Sequence, residues 1–301
     1  MKNILIIIND KLNNTENLIN NILNEIKDYE NVNYSLLKTQ SIEHLKSNYY
    51  TFKNFSGLFI VGGDGTISPI VQYLLNNNIN IPIGCIPNGS GNGLVHSLYY
   101  NKKEVHIKNV IKTITNFNDT SINTMKIKFF EKENTDLYSF LFISYGIFSN
   151  IDIGNDYIRC IGNIRFTIGG IFELIKKNSF FGRLEYVKNK KWIIEEGEFL
   201  SFMANNASHT SSDSITSPLS KLNDNKIYLS YIKEPISRFE LFNILNSLSD
   251  GTFVNYPSVK YFSTTEFKFY SNNTLLDIDG EYYKCQPIHV KIESESLKIY
   301  N

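Results

Sequence analysis

Gly57-Leu58-Phe59-Ile60-Val61-Gly62-Gly63-Asp64-Gly65-Thr66 is an uncharged apolar run that passes directly into glycines, one carboxylate and one hydroxyl. The run has strand length and no polar alternation, so it reads as a buried strand ending in a turn. Gly62, Gly63 and Gly65 let a backbone approach a nucleotide closely and adopt positive φ, and Asp64 points its side chain into the same space. A second such turn follows one helix later. Ile81-Pro82-Ile83-Gly84-Cys85-Ile86-Pro87 reads as a short strand, and Asn88-Gly89-Ser90-Gly91-Asn92-Gly93-Leu94 as a loop opening a helix, whose free N–H groups and dipole favour anions. Two anion-friendly turns in one domain point to nucleotide binding.

Around these turns the first third of the chain alternates strand and helix. Strands are expected at 5–8, 32–37, 57–61 and 81–86. Helices are expected over 42–50, 67–75 and 107–117, from about Asn92, and after a Thr15 cap, where Leu18, Ile19, Ile22, Leu23 and Ile26 share one face. This order predicts a doubly wound parallel sheet with ligands at the carboxyl ends of its strands, where both glycine turns fall. Beyond about Thr120 the rhythm changes to alternation, as in Met125-Lys126-Ile127-Lys128-Phe129. Strands are expected at 138–144, 183–187, 199–204, 226–231, 265–270 and 288–293, with helices at 161–177 and 238–248. The chain therefore divides into a nucleotide-binding α/β domain, 1–121, and a mostly antiparallel domain, 122–301.

Bulk properties exclude several classes. Lys plus Arg equals Asp plus Glu at 30 each, which leaves no basic field for a nucleic-acid backbone. Cys85, Cys160 and Cys285 are odd in number and far apart, as expected of reduced thiols rather than disulfides or a zinc site. A reducing, cytoplasmic setting follows. The opening apolar run stops at Asn9-Asp10 without a small-residue cleavage site, and the run at 140–148 is too short to cross a bilayer, so membrane contact is expected to be peripheral and transient. The five histidines form no metal-ligand or charge-relay spacing.

The pair GGDGT and PNGSGNGL resembles the signature of the diacylglycerol kinase and sphingosine kinase superfamily of lipid kinases. GGDG turns also occur in NAD kinases and phosphofructokinases, but the second loop, with Gly-Ser-Gly-Asn, is closer to sphingosine and ceramide kinases. Gly146-Ile147-Phe148-Ser149-Asn150-Ile151-Asp152, then Tyr157-Ile158-Arg159, then Gly162-Asn163-Ile164-Arg165-Phe166-Thr167-Ile168-Gly169, is similar to a sphingosine kinase stretch in order and spacing, and the likeness extends to Asp277-Ile278-Asp279-Gly280-Glu281. The resemblance implies a C-terminal β-sandwich domain holding the lipid, with ATP in the cleft between domains. It also implies phosphate transfer to the primary hydroxyl of a sphingoid base. A diacylglycerol or ceramide kinase, or a catalytically weak lipid-binding regulator, are the alternatives.

Site residues follow from the same resemblance. Asp64 is the expected base, although an aspartate there also fits a helix cap. Asn9, Thr39, Gly62, Gly63, Gly65, Thr66, Gly89, Ser90, Gly91 and Asn92 are expected around the nucleotide. Arg159 and Arg165 resemble the family arginines on the phosphates, where a guanidinium donates two hydrogen bonds, and either also fits a surface ion pair. Asp279, Gly280 and Glu281 read first as an Asp-Gly hairpin turn and second as groups returning to ribose, adenine or hydrated Mg²⁺. Mg²⁺ is expected to arrive with ATP, near Asp64 or Asp279. Asp152 falls where sphingosine kinases receive the sphingoid amino and hydroxyl groups; a carboxylate complements an ammonium, which diacylglycerol lacks. Phe148, Phe166 and Phe172 are candidate lipid-lining residues, the last two on a helix apolar around much of its circumference that either packs in a core or covers a lipid.

The chain departs from the family after its first strand. Relatives carry Asn-Pro and a glycine- and lysine-rich loop, whereas Asn9-Asp10-Lys11-Leu12-Asn13-Asn14 has no glycine, and Asp10 repels a triphosphate. Ile67-Ser68-Pro69 lacks the usual glutamate, and Pro69 suits a first helical turn.

Overall fold

Apolar segments of the first third line up side by side, all pointing the same way. The computed structural model describes residues 2–10, 15–27, 29, 31–99, 105–130, 136–153, 164–271 and 274–301, without the side chains of 152, 153 and 164–168. The chain forms two units, Met1–Ile122 with Glu295–Asn301, and Asn123–Ser294.

The first unit contains β1 (Lys2–Asn9), α1 (Thr15–Ile26), β2 (Val32–Thr39), α2 (Ile42–Ser47), β3 (Gly57–Gly62), α3 (Asp64–Asn76), β4 (Ile83–Pro87), α4 (Gly93–Leu98) and α5 (Ile107–Ile114). The strands stand in the order β4, β3, β1, β2, every pair parallel. Such pairs need crossover connections, which the intervening helices supply. β3 and β4 are buried at every residue, as strands covered on both faces must be. α1 turns Leu18, Ile19, Ile22 and Ile26 inward, and α5 turns Val110, Ile111 and Ile114. α3 starts at Asp64, earlier than expected, because Thr66 and Ile67 already donate to the Gly63 carbonyl. Pro69 therefore lies past the first turn, inside the helix.

The second unit continues β5 (Asp119–Phe129), which begins in the first, with β6 (Leu137–Ser139), β7 (Phe142–Gly146), α6 (Ile147–Ile153), α7 (Ile164–Lys176), β8 (Phe180–Lys188) and β9 (Lys191–Asn205). Then come β10 (His209–Ser211), β11 (Ser214–Ile215), β12 (Ile227–Lys233), α8 (Arg238–Asn246), β13 (Val259–Thr264), β14 (Glu266–Tyr270), β15 (Leu276–Ile278), β16 (Glu281–Tyr283) and β17 (Ile288–Tyr300). β9 is the organiser: its first half pairs with β8 and its second half lies between β7 and β12, all antiparallel. Inward residues of these strands make an aromatic core in which Phe202 and Phe269 stack with ring centroids 4.1 Å apart. The end of β17 belongs to the first unit, where Ile299 pairs in parallel with Ile83.

Candidate functional site

In the first unit the carboxyl ends of β2, β1, β3 and β4 form a row: Thr39 stands opposite Asn9, Ile8 opposite Val61, and Gly62 opposite Pro87. This is the edge where open parallel sheets take ligands. The glycine turns leave β3 and β4 at that edge and cross in direct contact. A Cβ on Gly89 would lie 2.5 Å from the Gly63 Cα, and one on Gly63 would lie 3.0 Å from the Gly89 Cα. The Asn88 N–H donates to the Gly62 carbonyl at 3.1 Å. Asn92 folds back on Gly89, accepting its N–H at 3.0 Å and donating to its carbonyl at 2.7 Å.

Positive φ is not what these glycines supply. Among the described residues the glycines with positive φ are Gly146, Gly197, Gly251 and Gly280, whereas in the second turn it is Asn92 that adopts φ 54°. Gly63 and Gly89 are demanded by the crossing of two backbones.

Asp64 clamps the same crossing. Its Oδ2 accepts the Gly93 N–H at 2.7 Å and its Oδ1 the Leu94 N–H at 3.2 Å. The carboxylate thus caps α4, the neighbouring helix, and takes up two of the amides expected to be free at that helix start, those of Gly93 and Leu94. α3 has no side-chain cap, because its cap residue is Gly63. Burial, and secondly the Asp64 charge, push the Cys85 thiol far above its ordinary range, so it stays protonated.

Asn9 joins the row to α3, its Nδ2 donating to Thr66 Oγ1 at 3.3 Å. Thr39 is buried and its hydroxyl donates to the Ile8 carbonyl at 3.1 Å. Gly65 and Ser90 are exposed, and Gly91 is half-buried.

In the second unit Asp279 and Gly280, with φ of 54° and 83°, join β15 to β16 as the expected hairpin turn. The Asp279 side chain points inward. Oδ1 accepts from Ser139 Oγ at 2.7 Å and from the Leu141 and Phe142 amides at 3.0 Å each, while Oδ2 accepts the Phe140 amide at 3.0 Å. Burial outweighs these donors and pushes its carboxyl up to about 6. Glu281 is exposed. Asp277, fully buried on β15, accepts the Gly280 N–H at 2.9 Å and the Ser144 hydroxyl at 3.4 Å.

Asp152 lies on α6, and Arg165 and Phe166 on α7, with their side chains outside what is described; Arg159 lies outside the described residues altogether. Phe148 is half-buried, and Phe172 is 52% exposed beside the exposed Ile171 and Ile175. The described part of α7 is thus open on its apolar side. Its buried polar contact is Glu173, which accepts from Asn150 Nδ2 on α6 at 2.7 Å. Sequence reasoning passed over Glu173. The available signal was a single charge among the residues 166–175.

Asp279, with four donors on two oxygens, does not fit a direct Mg²⁺ ligand. Asp64, half-buried with one amide on each oxygen, fits a contact to a nucleotide-borne cation. Among the described residues no group of three or more His, Cys, Asp or Glu side chains converges as metal ligands.

Residues 3–127, which span the parallel α/β unit with its crossed glycine turns, match the diacylglycerol kinase catalytic domain. The chain is 23% identical to sphingosine kinase 1 of Arabidopsis thaliana over 82% of its length, spanning 60% of that protein. It is 21% identical to sphingosine kinase 1 of Rattus norvegicus over 88% of its length, spanning 82% of that protein. A crystal structure of a putative diacylglycerol kinase from Bacillus anthracis shares the fold with TM-score 0.81 and 16% identity, over 100% of this chain and 95% of that one. The amino-terminal part of the chain is thus similar to the diacylglycerol kinase catalytic domain, and most of the chain to sphingosine kinases. Among the described residues no helix is long and apolar enough to cross a membrane.

Proposed function

We propose that this protein transfers the γ-phosphate of ATP to the primary hydroxyl of a sphingoid base, converting sphingosine to sphingosine 1-phosphate. The observation that carries the reading is the crossing of two glycine turns at the strand ends with Asp64 pinned between them. Phosphoryl transfer needs a held polyphosphate and an acceptor hydroxyl in line with it, and leaves side chains little covalent work. The uncapped start of α3 suits phosphate oxygens, with Asn9 and Thr66 beside it and Arg159 and Arg165 as the expected guanidinium donors. Mg²⁺ supplies charge neutralisation on the phosphates when bound. Two amides fix the Asp64 carboxylate, so each oxygen's remaining lone pair has a set direction. Asp64 accepts the acceptor proton as the new O–P bond forms and the bond to the ADP oxygen breaks. Asp152 meets the sphingoid ammonium, and the alkyl chain runs along the apolar side of α7 near Phe148, Phe166 and Phe172.

Diacylglycerol is the second reading, favoured by the name of the matched domain. Purified protein is assayed with labelled ATP and sphingosine, diacylglycerol or ceramide. Expected are labelled sphingosine, a roughly hundred- to ten-thousand-fold loss in Asp64→Asn, and a raised KM for sphingosine in Asp152→Asn. Product from diacylglycerol, indifferent to Asp152→Asn, moves the substrate to that lipid. Full activity in Asp64→Asn removes Asp64 as base, and no product from any lipid favours a lipid-binding regulator, against which tight MgATP binding in calorimetry would count heavily.

A further inference from the structure

The far end of the β8–β9 hairpin combines charge, aromatic surface and an unfavourable backbone. The strands pair antiparallel as far as Lys188 opposite Lys191, and the connection is Asn189 and Lys190 alone, with φ of 52° and 62°. This two-residue turn needs left-handed backbone at both positions, where glycine suits the second and lysine is disfavoured. The closing pair also sets two like charges face to face, which destabilises a hairpin. Neither Lys188, Lys190 nor Lys191 forms an ion pair with a described residue. Three lysines are thus kept at a tip whose own stability would be better served by other residues.

Immediately behind them the surface is apolar. Trp192 is 44% exposed and Ile194 is 53% exposed on one face of β9, and Ile193 is exposed on the other. On the same face, beginning opposite Ile194, lies an ion-paired block: Arg183 meets Glu185 at 2.6 Å and Glu196 at 3.1 Å, and Lys268 meets Glu185 at 3.7 Å and lies 4.8 Å over the Trp192 ring. The hairpin therefore carries unpaired cations at its tip and exposed apolar groups directly behind them on β9, with paired charges flanking those groups on β8 and β14. A strand rises about 3.3 Å per residue, which sets Ile194 about 10 Å behind Lys191. That is the depth of the boundary between lipid head groups and acyl chains.

We infer that this hairpin docks the protein on an anionic lipid bilayer, with Lys188, Lys190 and Lys191 among the head groups and Trp192, Ile193 and Ile194 at the acyl boundary. Charge complementarity selects this occupant: the chain is neutral overall, so attraction to an anionic surface has to be local, and the cationic tip lies where it would touch first. The inference deepens the lipid-kinase reading, on which the bilayer as occupant rests. The exposed apolar residues of α7 and α8, Phe239 and Phe242 among them, offer a competing surface, but its basic groups are engaged, Lys177 with Glu234 and Arg238 with the Ile175 carbonyl.

Trp192 is the chain's one tryptophan, so its emission reports on this hairpin alone. The protein is titrated with vesicles of phosphatidylcholine, with and without phosphatidylserine. The expected result is a blue-shifted emission, quenched by acyl-brominated lipid, that requires phosphatidylserine and weakens with salt. Lys190→Gly should bind about fivefold more weakly, the effect of one charge at such a surface, while its thermal midpoint holds or rises because glycine relieves the turn. Binding with unchanged tryptophan emission overturns the inference in favour of α7 and α8. Absence of binding to phosphatidylserine vesicles, or wild-type affinity in Lys190→Gly, also overturns it. Labelled-lipid assays are read separately, so a spectral shift without product retires the kinase reading and leaves the hairpin standing.

Discussion

Asp279 gathers four donors on two oxygens inside the second unit, and burial still pushes its carboxyl up to about 6 from an ordinary 3.8. The folded state then binds more protons than the unfolded chain between those values. Its contribution to stability is complete below 3.8 and is lost as pH rises through about 6. Urea unfolding of the wild type and Asp279→Asn across this window should show the wild type losing on the order of 3 kcal/mol relative to the variant. A gap that stays constant with pH would mean that Asp279 does not titrate there. The turn at Asp279-Gly280 was legible in the sequence because the preference is local. The inward carboxylate was not, since its donors lie at residues 139–142, on the far side of the unit in sequence. Asp64 is a similar case: that an aspartate in a glycine turn caps a helix was readable, but that it caps α4 rather than α3 depends on two strands lying side by side.

Helices α6 and α7 show the same limit for whole elements. An apolar stretch from Ile164 onward was readable as helix, yet its periodicity could not say that Glu173 faces inward while Phe172 faces outward. The partner that draws Glu173 in, Asn150, sits on α6, a helix the sequence did not announce because it is short and follows β7 with Gly146 alone to mark the change. Removing that buried acceptor in Glu173→Ala should cost about 1–3 kcal/mol in urea unfolding. Glu173→Gln, which keeps an acceptor oxygen, should recover most of it. If Asp152 on α6 meets the substrate as proposed, Glu173→Ala should also raise KM for the lipid more than it lowers kcat. An unaltered KM would detach the contact from substrate positioning. The central parallel strands β1, β3 and β4 were the most legible elements of all, because segments buried on both faces have unbroken apolar runs.

At the scale of the molecule, the alternating first part and the antiparallel second part were both readable, whereas the return of Glu295–Asn301 to the first unit was not. β17 runs through the polar stretch Glu293-Ser294-Glu295-Ser296, with Glu295 at φ 49°, and that break in alternation does not say which sheet the residues after it join. In the first unit Leu297, Ile299 and Tyr300 are buried, and the Tyr300 ring lies edge-on to Phe59 and Phe117 with centroids 5.8 Å away from each. Gly57 is shaped to it, since a Cβ there would meet the Tyr300 hydroxyl at 2.5 Å. Each such side chain contributes about 1.5–3 kcal/mol, so a chain ending at Ser294 should forfeit an amount comparable to the whole stability of a domain. Hydrogen exchange should show β3 and β4 losing protection in that variant while β9 and β14 keep theirs; equal protection in both chains would make the return incidental. During synthesis the amino-terminal unit emerges from the ribosome first, but it waits for residues 295–301 with the border of β4 unpaired. Through that interval the nascent chain presents an apolar strand edge open to neighbouring chains, and a segment encoded only after the whole second unit is what shuts it.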